Sequence, residues 1–521
     1  MEKYYITTAI IYASGKPHIG NCYEIIFTDA VARFKRKAGY DVFYLTGSDE
    51  HGQKMELKAA EAGVSPKEFA DRCVDEIKLV WGTLNVTFDK FIRTTDDYHK
   101  AAVQKIFDKL LKKGDIYKGA YEGMYCTPCE SFWTASQLVD GKCPDCGREV
   151  APAKEEAYFL KLREYQPWLE KYIEDHPGFL YPEARAKEMI NNFLKPGLND
   201  LCVSRTSFSW GIPVTTDPDH VVYVWLDALS NYITAIGYDG EGGNEQFEKF
   251  WPADMHVIGK DIFRFHSIYW PIILHCLDLP IPKRIYGHQW LLSGGDKMSK
   301  SKGNTLYSDD LIKFFGVDAV RWYCLSQMPF TSDGNITYEL LIENFNTDLA
   351  NTIGNLVNRT VTMAQKYFDG VVQLPKNTED IDRDVIETAF LSRDEYLTAF
   401  EEQRLAEASR AIVKLAVRLN KYIDETAPWT LAKSEEQKPR LGAVLYNLLE
   451  GIRFIAVMAE PFMPETSAKI IAQLGNPDSS FDSIQNYGGM KPGENVGTPE
   501  VLFQRLDPKK LLPEIEKFYA E

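Results

Sequence analysis

Residues 8–21 read TAIIYASGKPHIGN, and the rest of the chain is organised around this stretch. The apolar, β-branched run that ends at Ile11 is short enough for a buried strand, and Ser14-Gly15-Lys16-Pro17 is a turn signal. The segment 19–39 reads as a helix, so His18 stands where a strand ends and a helix begins. In an open parallel sheet, nucleotides bind at that position. Taken alone, the stretch is equally consistent with an ordinary turn that contains an incidental histidine.

Length and composition describe a large acidic protein. The chain has 521 residues, a hydrophobic content of 45% and a formal net charge of −16. The length predicts three or four domains, and the charge argues against a protein that coats nucleic acid generally. We read no export signal and no apolar run near the ~18 residues that span a bilayer. We therefore expect a cytoplasmic protein without a membrane partner.

Strands and helices alternate from residue 1 to about residue 115, which predicts a parallel sheet. A second strand begins at Asp41 and leads into the polar segment 47–52. Asp49, Glu50 and His51 are candidates for a site there, because such sheets build their sites at the carboxyl ends of strands. A solvated turn is the equally weighted alternative. Helices are predicted from the N-cap Ser65 and over 97–113.

Four cysteines form two C-x-x-C pairs, Cys126 with Cys129 and Cys143 with Cys146, separated by a 13-residue spacer. Two such knuckles supply four thiolates in a tetrahedral array, which predicts one Zn²⁺ ion. With all four positions filled by sulfur, the ion would be structural and would organise an insertion with little apolar core. Redox-active cysteines are the alternative.

Strand and helix alternation resumes over 220–229, 255–261 and 285–291. The helix that begins near Phe263 carries aromatic residues at helical spacing. They are either ordinary core or the lining of a pocket for a polarisable apolar side chain. The loop 293–304 is rich in Lys, Ser and Gly, so it either closes over a polyanion or is simply a flexible solvated loop. From residue 330 onward the pattern is helical and predicts a helix bundle.

Two signatures together point to a family. His18-Ile19-Gly20-Asn21 follows the first strand, and Lys297-Met298-Ser299-Lys300-Ser301 follows the last strand of the sheet. The pair resembles the HIGH and KMSKS signatures of class I aminoacyl-tRNA synthetases. Within that class the chain is similar to the methionyl-tRNA synthetase family at 47–52, 126–146, 224–228, 258–262, 355–359 and 427–429. These matches run in the family's order over nearly the whole chain.

The resemblance implies a Rossmann-like parallel-sheet catalytic domain, split by a zinc-knuckle insertion and followed by an all-α helix-bundle anticodon-binding domain. It implies that L-methionine is activated with ATP and Mg²⁺ to methionyl-adenylate and pyrophosphate. The methionyl group then passes to the 3′-terminal adenosine of tRNA(Met). The methionine carboxylate attacks the α-phosphorus in line, so catalysis is positioning and charge stabilisation. The implied boundaries are 1–115 and 223–295 for the catalytic domain, 116–222 for the insertion, 296–350 for the KMSKS loop and stem-contact region, 351–475 for the bundle and 476–521 for an irregular C-terminal segment.

The resemblance also implies the site residues. The catalytic set is His18, Asn21, Lys297 and Lys300, and ATP binding adds Gly20, Gly259 and Asp261. Methionine would be bound by Ile10, Tyr12, Asp49, Trp225, Ala228, Leu229, Tyr232, Ile262, His266 and Trp270. A Tyr12 hydroxyl and a His266 N–H are the expected donors to the sulfur. The tRNA anticodon would be read by Asn355, Arg359 and Trp429.

The chain departs from the family pattern at Asn21, where HIGH has its second histidine, and at Leu229, where some relatives have proline. It also lacks an additional C-terminal tRNA-binding domain, so we expect a monomer. One alternative function is a non-catalytic zinc-containing tRNA-binding protein. Another is a synthetase for a different apolar amino acid such as leucine, which the short insertion argues against.

Overall fold

The computed structural model describes residues 1–129, 131–133, 137–144, 146–298 and 303–520. Among these residues the strands are β1 (Lys3–Thr8), β2 (Ile11–Tyr12), β3 (Asp41–Asp49), β4 (Lys90–Arg93), β5 (Ile116–Cys126), β6 (Ser131–Trp133), β7 (Ala151–Leu160), β8 (Leu180–Tyr181), β9 (Leu201–Cys202), β10 (Ser204–Arg205), β11 (Pro213–Val214), β12 (Asp217–Val222), β13 (Met255–Gly259), β14 (Ile285–His288), β15 (Leu291–Ser293) and β16 (Gly334–Ile336).

The α-helices of the described chain are α1 (Ile19–Lys37), α2 (Gln53–Glu61), α3 (Pro66–Thr83), α4 (Asp97–Lys113), α5 (Leu162–Asp175), α6 (Glu183–Met189), α7 (Val224–Thr234), α8 (Glu245–Phe250), α9 (Trp270–Cys276), α10 (Ser308–Phe315), α11 (Val317–Ser326), α12 (Tyr338–Asn344), α13 (Asn355–Phe368), α14 (Asp380–Glu401), α15 (Leu405–Thr426), α16 (Pro428–Leu431), α17 (Lys438–Ala459), α18 (Pro464–Gln473) and α19 (Pro508–Ala520). The stretches Ile190–Leu194, Phe265–Tyr269 and Phe345–Gly354 are π-helical, and Glu435–Gln437 and Asp482–Ile484 are 3₁₀-helical.

The first of two compact units comprises Met1–Pro17 and Tyr40–Trp290. Its sheet has the order β2-β3-β1-β13-β14-β8, with β4 paired to β3. Every one of these pairings is parallel, which confirms the predicted sheet. The strand order runs in opposite directions on the two sides of β1. Ligands of such sheets bind in the crevice at this reversal, beyond the carboxyl ends of the strands.

The insertion of this unit is antiparallel, unlike the sheet that it interrupts. One sheet has the order β6-β5-β7-β9 and another the order β10-β12-β11. The long β5 and β7 pair from Ile116 opposite Leu160 to Tyr125 opposite Ala151. The strand that contains His220 therefore belongs to the insertion and not to the parallel sheet. The first half of this strand is more exposed, whereas His220, Val221 and Val222 are buried.

The segment 47–52 was predicted to lie after the strand, but its first half, residues 47–49, belongs to β3. Strand β3 continues through Gly47 and Ser48 to Asp49, since β2 and β4 both pair with this part of it. A Cβ on Gly47 would lie 2.2 Å from the carbonyl oxygen of Ile92, so only glycine allows the strands to approach so closely. Asp49 consequently lies in a buried strand, while His51 lies beyond its end.

The second unit comprises His18–Gly39 and Leu291–Glu521, so helix α1 is packed with the later part of the chain. The helices α10–α19 and the short parallel pair β15–β16 make up the rest. The predicted helix-bundle character of this region is confirmed. Helix α15 ends at Thr426, where Ala427 takes a left-handed conformation with φ 42°.

A buried ion network fixes α1 within this unit. The carboxylate of Asp29 lies 2.7 Å from the guanidinium of Arg321, and both side chains are fully buried. Arg321 also donates to the carbonyl oxygens of Pro461 and Phe462, which follow α17. Arg33 of α1 bonds to Asp29 at 2.8 Å. Buried charged side chains have no access to water, so each needs a hydrogen-bonded partner of opposite charge.

In the described part of the chain, one helical segment, Glu435–Ala459, is long and apolar enough to cross a membrane. Its most apolar window is completely buried inside the second unit, so its composition is that of a core helix.

Candidate active site

The polar residues at the end of β3 have different partners. Glu50 is fully buried, and its carboxylate accepts two hydrogen bonds of 2.7 Å from Arg93. The hydroxyl of Thr95 donates to the same carboxylate at 2.7 Å. Glu50 is therefore a structural ion-pair residue. Asp49 precedes it, is 8% exposed and lies at the carboxyl end of the strand, where a ligand cation could approach.

His51 leads into a buried relay of polar groups. Its Nδ1 lies 2.7 Å from Oδ2 of Asp227, and the other oxygen of Asp227 lies 2.8 Å from Nε2 of His99. Nδ1 of His99 lies 2.7 Å from the hydroxyl of Thr234. The hydroxyl of Tyr12 donates to the backbone carbonyl of His51 at 3.3 Å. This relay links β2, the end of β3, α4 and α7.

Aromatic residues pack beside the relay. The rings of Trp225 and Phe265 are stacked at 3.7 Å, and His266 meets Trp225 edge-on at 6.2 Å. Nε2 of His266 lies 2.8 Å from the hydroxyl of Tyr232, and its Nδ1 lies 3.0 Å from the carbonyl of Ile262. Phe265 and His266 belong to a π-helical stretch, a local irregularity that is frequent at functional sites.

His266 is neutral at physiological pH. Burial lowers its pKa to about 4. A carbonyl can only accept, so the Nδ1 hydrogen points to Ile262, and Nε2 accepts the hydrogen of Tyr232. Neither nitrogen of His266 has a hydrogen left for a ligand sulfur. The expected donation from His266 to sulfur would require its bond to Ile262 or Tyr232 to break, and it stays a prediction.

A second histidine holds the base of this aromatic group. Trp270 is fully buried, and its indole N–H donates to Nε2 of His256 at 3.2 Å. Nε2 must then carry a lone pair, so Nδ1–H donates to the hydroxyl of Thr7 at 2.7 Å. Burial lowers the pKa of His256 well below its usual range. The His256 ring stacks on Tyr232 at 4.1 Å. These side chains are thus locked by mutual bonds.

The remaining pocket candidates are apolar and lie around this group. Ala228 and Leu229 are buried on α7, and Ile10 and Ile262 pack against buried clusters of the same unit. α7 carries four of the predicted residues on consecutive turns, and the π-helical stretch carries another. The first unit thus brings its predicted methionine-binding residues to the carboxyl side of the sheet.

Gly259 is the last residue of β13 and Asp261 lies just after the strand, next to the reversal of the strand order. A Cβ on Gly259 would come within 2.8 Å of a carboxylate oxygen of Asp261, so a larger residue would force this carboxylate to move. The indole of Trp290 donates to the same oxygen at 3.3 Å, and the ammonium of Lys260 lies 3.9 Å from the Trp290 ring centre. The carboxylate is therefore held by a short turn and an aromatic neighbour.

The HIGN signature forms the start of α1 in the second unit. His18 is the N-cap residue in an extended conformation, and its backbone N–H donates to Oδ1 of Asn21 at 3.2 Å. A Cβ on Gly20 would lie 3.0 Å from Nδ1 of His18, so glycine leaves room for the imidazole. The N–H of Ile19 donates to the carbonyl of Leu306 at 2.8 Å. The helix start is thereby tied to the segment that follows the KMSKS loop.

The described part of the KMSKS loop begins with a tight turn. Gly294 and Gly295 have φ of 60° and 86°, and the N–H of Gly295 donates to the side chain of Asn335 at 2.9 Å. Lys297 is exposed and Met298 is buried. Lys300 lies outside the described residues. Within the second unit, the HIGN segment therefore lies next to Leu291 and Leu306, the residues before and after the KMSKS loop.

The four cysteines of the insertion converge. All four sulfur atoms lie within 4.8 Å of one another. The sulfurs of Cys126 and Cys146 are 3.5 Å apart, and those of Cys129 and Cys143 are 3.9 Å apart. Tetrahedral zinc with Zn–S bonds of ~2.3 Å requires sulfurs about 3.8 Å apart, so the cluster fits such an ion.

The anticodon candidates lie on the helical part of the second unit. Asn355 is exposed at the start of α13, and Arg359 is one turn later on the same face. The Arg359 guanidinium is 3.5 Å from Asp424, which lies near the end of α15. Trp429 follows in α16 and is 44% exposed, which is unusual for a tryptophan and suits stacking on a base.

The sequence reading assigned no role to His99, Asp227 and His256. One signal could have identified Asp227: an acidic residue within the apolar run 224–229 of a helix must be buried with partners. No comparable pattern marks His99 or His256, since each is a lone histidine in an otherwise ordinary element.

Comparison with known proteins gives consistent matches over nearly the whole chain. A family model described as class I tRNA synthetases (M) matches residues 4–155 and 149–361. A model described as the anticodon binding domain of methionyl tRNA ligase matches residues 376–520. The methionine–tRNA ligase of Clostridium perfringens is 56% identical over 515 residues, 99% of this chain and 80% of that protein.

A second relative, the methionine–tRNA ligase of Clostridium acetobutylicum, is 55% identical over 100% of this chain and 81% of its own length. Among solved structures, methionyl-tRNA synthetase of Mycobacterium tuberculosis in complex with methionyl-adenylate superposes with a TM-score of 0.93 at 41% identity, covering 97% of this chain and 100% of that one. Its apo form superposes with a TM-score of 0.86 at 38% identity, covering 98% and 99%.

Proposed function

The chain belongs to the methionyl-tRNA synthetase family of class I aminoacyl-tRNA synthetases, and from this premise we propose which of its residues carry out each part of the reaction. The reaction is that of an ATP-dependent methionine–tRNA ligase, which joins methionine to tRNA. Residues of the first unit bind methionine. The anticodon-binding helices belong to the second unit.

Methionine binds beyond the carboxyl ends of β1 and β3. The carboxylate of Asp49 accepts the α-ammonium group, a charge-assisted bond. The thioether side chain lies among Tyr12, Trp225, Ile262 and Trp270. One observation carries this assignment: the cluster of Tyr232, His256, His266 and Trp270 is buried, neutral and internally hydrogen-bonded. Such a lining favours a polarisable apolar side chain and disfavours polar ones.

The ATP phosphates are contacted by His18 and by the N-terminus of α1, where unpaired backbone N–H groups and the helix dipole favour anions. Asp261 and Gly259 bind the ribose. Lys297 and Lys300 neutralise the β- and γ-phosphates as charge moves to the pyrophosphate. Mg²⁺ bound together with ATP would neutralise part of the phosphate charge. The methionine carboxylate attacks the α-phosphorus in line, so no side chain acts as a nucleophile.

For tRNA we propose that Trp429 stacks on an unpaired anticodon base and that Asn355 and Arg359 read base edges. The exposure of Trp429 and the shared face of α13 support this role. The cysteine cluster binds one structural zinc ion that keeps the insertion folded, since all four coordination positions are taken by sulfur.

A pyrophosphate-exchange assay over the apolar amino acids tests the proposal. We expect ATP–pyrophosphate exchange that depends on methionine and proceeds without tRNA. Leucine, isoleucine and valine should support it at least about tenfold less well, because a passive pocket discriminates by ~1–3 kcal/mol. Absence of any exchange would favour a non-catalytic tRNA-binding protein, and exchange with leucine alone would identify a different synthetase.

Tyr232→Phe tests the methionine pocket. The change leaves Nε2 of His266 buried without its donor, which costs about 1–3 kcal/mol. We expect a rise of about 5–50-fold in the KM for methionine, with the KM for ATP changed less than about twofold. The matched control is Tyr422→Phe, which removes a buried hydroxyl bonded to Asp382 in the second unit. Equal effects of both substitutions on methionine KM would contradict the assignment.

Cys143→Ser tests the metal. Serine is a poor zinc ligand, so we expect the bound zinc to fall from about one ion per chain to below about 0.2, measured by atomic emission after dialysis. Cys276→Ser, a change at a buried cysteine of the same unit outside the cluster, is the control and should leave the zinc content unchanged. A full complement of zinc in Cys143→Ser would exclude a four-sulfur site.

A further inference from the structure

The carboxylate of Asp227 is buried with a histidine on each oxygen. Asp227 is 1% exposed, His51 is 4% exposed and His99 is fully buried. The two oxygen–nitrogen distances are 2.7 Å and 2.8 Å. Burial by itself would raise the pKa of Asp227, but the two histidines, His51 first, outweigh burial and lower it. The carboxylate is therefore ionised and can only accept hydrogen bonds.

An acceptor with two donors determines where the imidazole hydrogens are. His51 must carry a hydrogen on Nδ1 and His99 must carry one on Nε2, since each of these atoms faces an oxygen of Asp227. Nδ1 of His99 can then accept from the hydroxyl of Thr234. For Nε2 of His51, the described residues provide no hydrogen-bond partner.

The same carboxylate joins the two sides of the methionine pocket. Asp227 lies on α7 between Trp225 and Tyr232, on the helix that forms the aromatic side. His51 lies directly after the strand that ends at Asp49. The backbone carbonyl of His51 accepts from Tyr12. Thus the distance between the cation-binding side and the thioether side depends on two short bonds to Asp227.

We propose that Asp227, supported by His99, is a positioning residue of the methionine site. It fixes a hydrogen on Nδ1 of His51 and holds the end of β3 against α7. The inference rests on the proposed methionine pocket. Neither Asp227 nor His99 is required to touch methionine. Their effect is to keep Asp49, Tyr12 and the aromatic side chains in one geometry.

Asp227→Asn is the principal test. An amide offers one acceptor and one donor side, so it cannot accept from both histidines, and one imidazole loses its bond or changes tautomer. In pyrophosphate exchange we expect the KM for methionine to rise about tenfold or more, with the KM for ATP changed less than about twofold. A general loss of folded enzyme would lower kcat and leave both KM values unchanged, and this result would overturn the proposal.

Two further measurements keep the test decisive if Asp227→Asn folds poorly. Thr234→Val removes the hydroxyl at the far end of the relay, and we expect a rise of about two- to fivefold in methionine KM. In ¹⁵N spectra of histidine-labelled wild-type enzyme, assigned with a His51→Gln sample, Nδ1 of His51 should be protonated. An unchanged methionine KM in Thr234→Val, or a His51 protonated on Nε2 alone, would overturn the proposal.

Control variants separate the possible failures. Asp382→Asn removes a buried carboxylate bonded to Arg440 and Tyr422 in the second unit. It therefore has the same general effect on folding as Asp227→Asn but does not touch the hydrogen bonds between Asp227, His51 and His99. It should leave methionine KM unchanged. Asp49→Asn tests the pocket itself. If Asp49→Asn weakens methionine binding and Asp227→Asn does not, only the positioning role fails. If neither weakens it, the proposed methionine site fails as well.

Discussion

His18→Ala is expected to lower the rate of methionine activation by about 10²–10³-fold, the usual cost of removing one preorganised donor to a developing charge. His18 is the N-cap of α1, and the close fit against Gly20 holds its ring at the helix N-terminus. The loss should appear in kcat for pyrophosphate exchange and in the KM for ATP. The KM for methionine should change little.

Asn21 provides the matched control for this prediction. Its side-chain oxygen accepts the backbone N–H of His18, so it acts as a helix cap at the start of α1. A histidine nitrogen can also accept, and we expect Asn21→His to retain activity within about tenfold, under ~1.4 kcal/mol. Asn21→Asp keeps the acceptor but adds a negative charge, so it should raise the KM for ATP. Comparable losses in His18→Ala and Asn21→His would show that the catalytic role has been assigned to the wrong residue.

Arg321→Met is expected to destabilise the second unit by about 3–5 kcal/mol, because it leaves the Asp29 carboxylate buried without its principal cation. Because Arg33 still contacts Asp29, we expect the loss of unfolding free energy to be near the lower end of this range. The measurement is urea unfolding followed by circular dichroism at 222 nm. Because Asp29 is on α1, we also expect the rate of pyrophosphate exchange to fall at urea concentrations below the unfolding midpoint.

The double variant Asp29→Leu/Arg321→Met separates ion pairing from packing. It replaces both charges by apolar groups of similar volume, and such replacements are often neutral or stabilising, so most of the lost stability should return. Glu401→Gln is the control, since its carboxylate pairs with Lys35 but is 58% exposed. That change should cost less than about 1 kcal/mol. A double variant as unstable as Arg321→Met would show that packing around Arg321, and not the pair, stabilises the unit.

Local patterns predicted much of the fold correctly. The N-cap Ser65 accepts from the N–H of Glu68 at 3.2 Å, and helix α4 covers Asp97–Lys113 as expected. The four cysteines converge as their spacing indicated. Each of these features is determined by residues within a few turns of one another, where propensity and spacing suffice.

Other features depended on packing between distant segments. From sequence, Asp49, Glu50 and His51 were equal candidates for a site. The structure gives each a different environment, because Arg93 takes the Glu50 carboxylate and Asp227 binds His51. The partners of His266 also depend on such packing. Its hydrogen is used by a carbonyl four residues earlier, and its other nitrogen by Tyr232 on another helix.

The sequence by itself determined the family, the parallel sheet, the helical region and the cysteine cluster, since ordered motifs and hydrophobic periodicity are local properties of the chain. The tertiary structure alone decided that Asp227 joins His51 and His99 and that α1 is bound to the later part of the chain through Asp29 and Arg321. Buried charges must find partners in three dimensions, and the partner of each is set by which elements pack together. The stretch from Thr8 to Asn21 shows both: its motif is readable in the sequence, but its strand and its helix belong to different units.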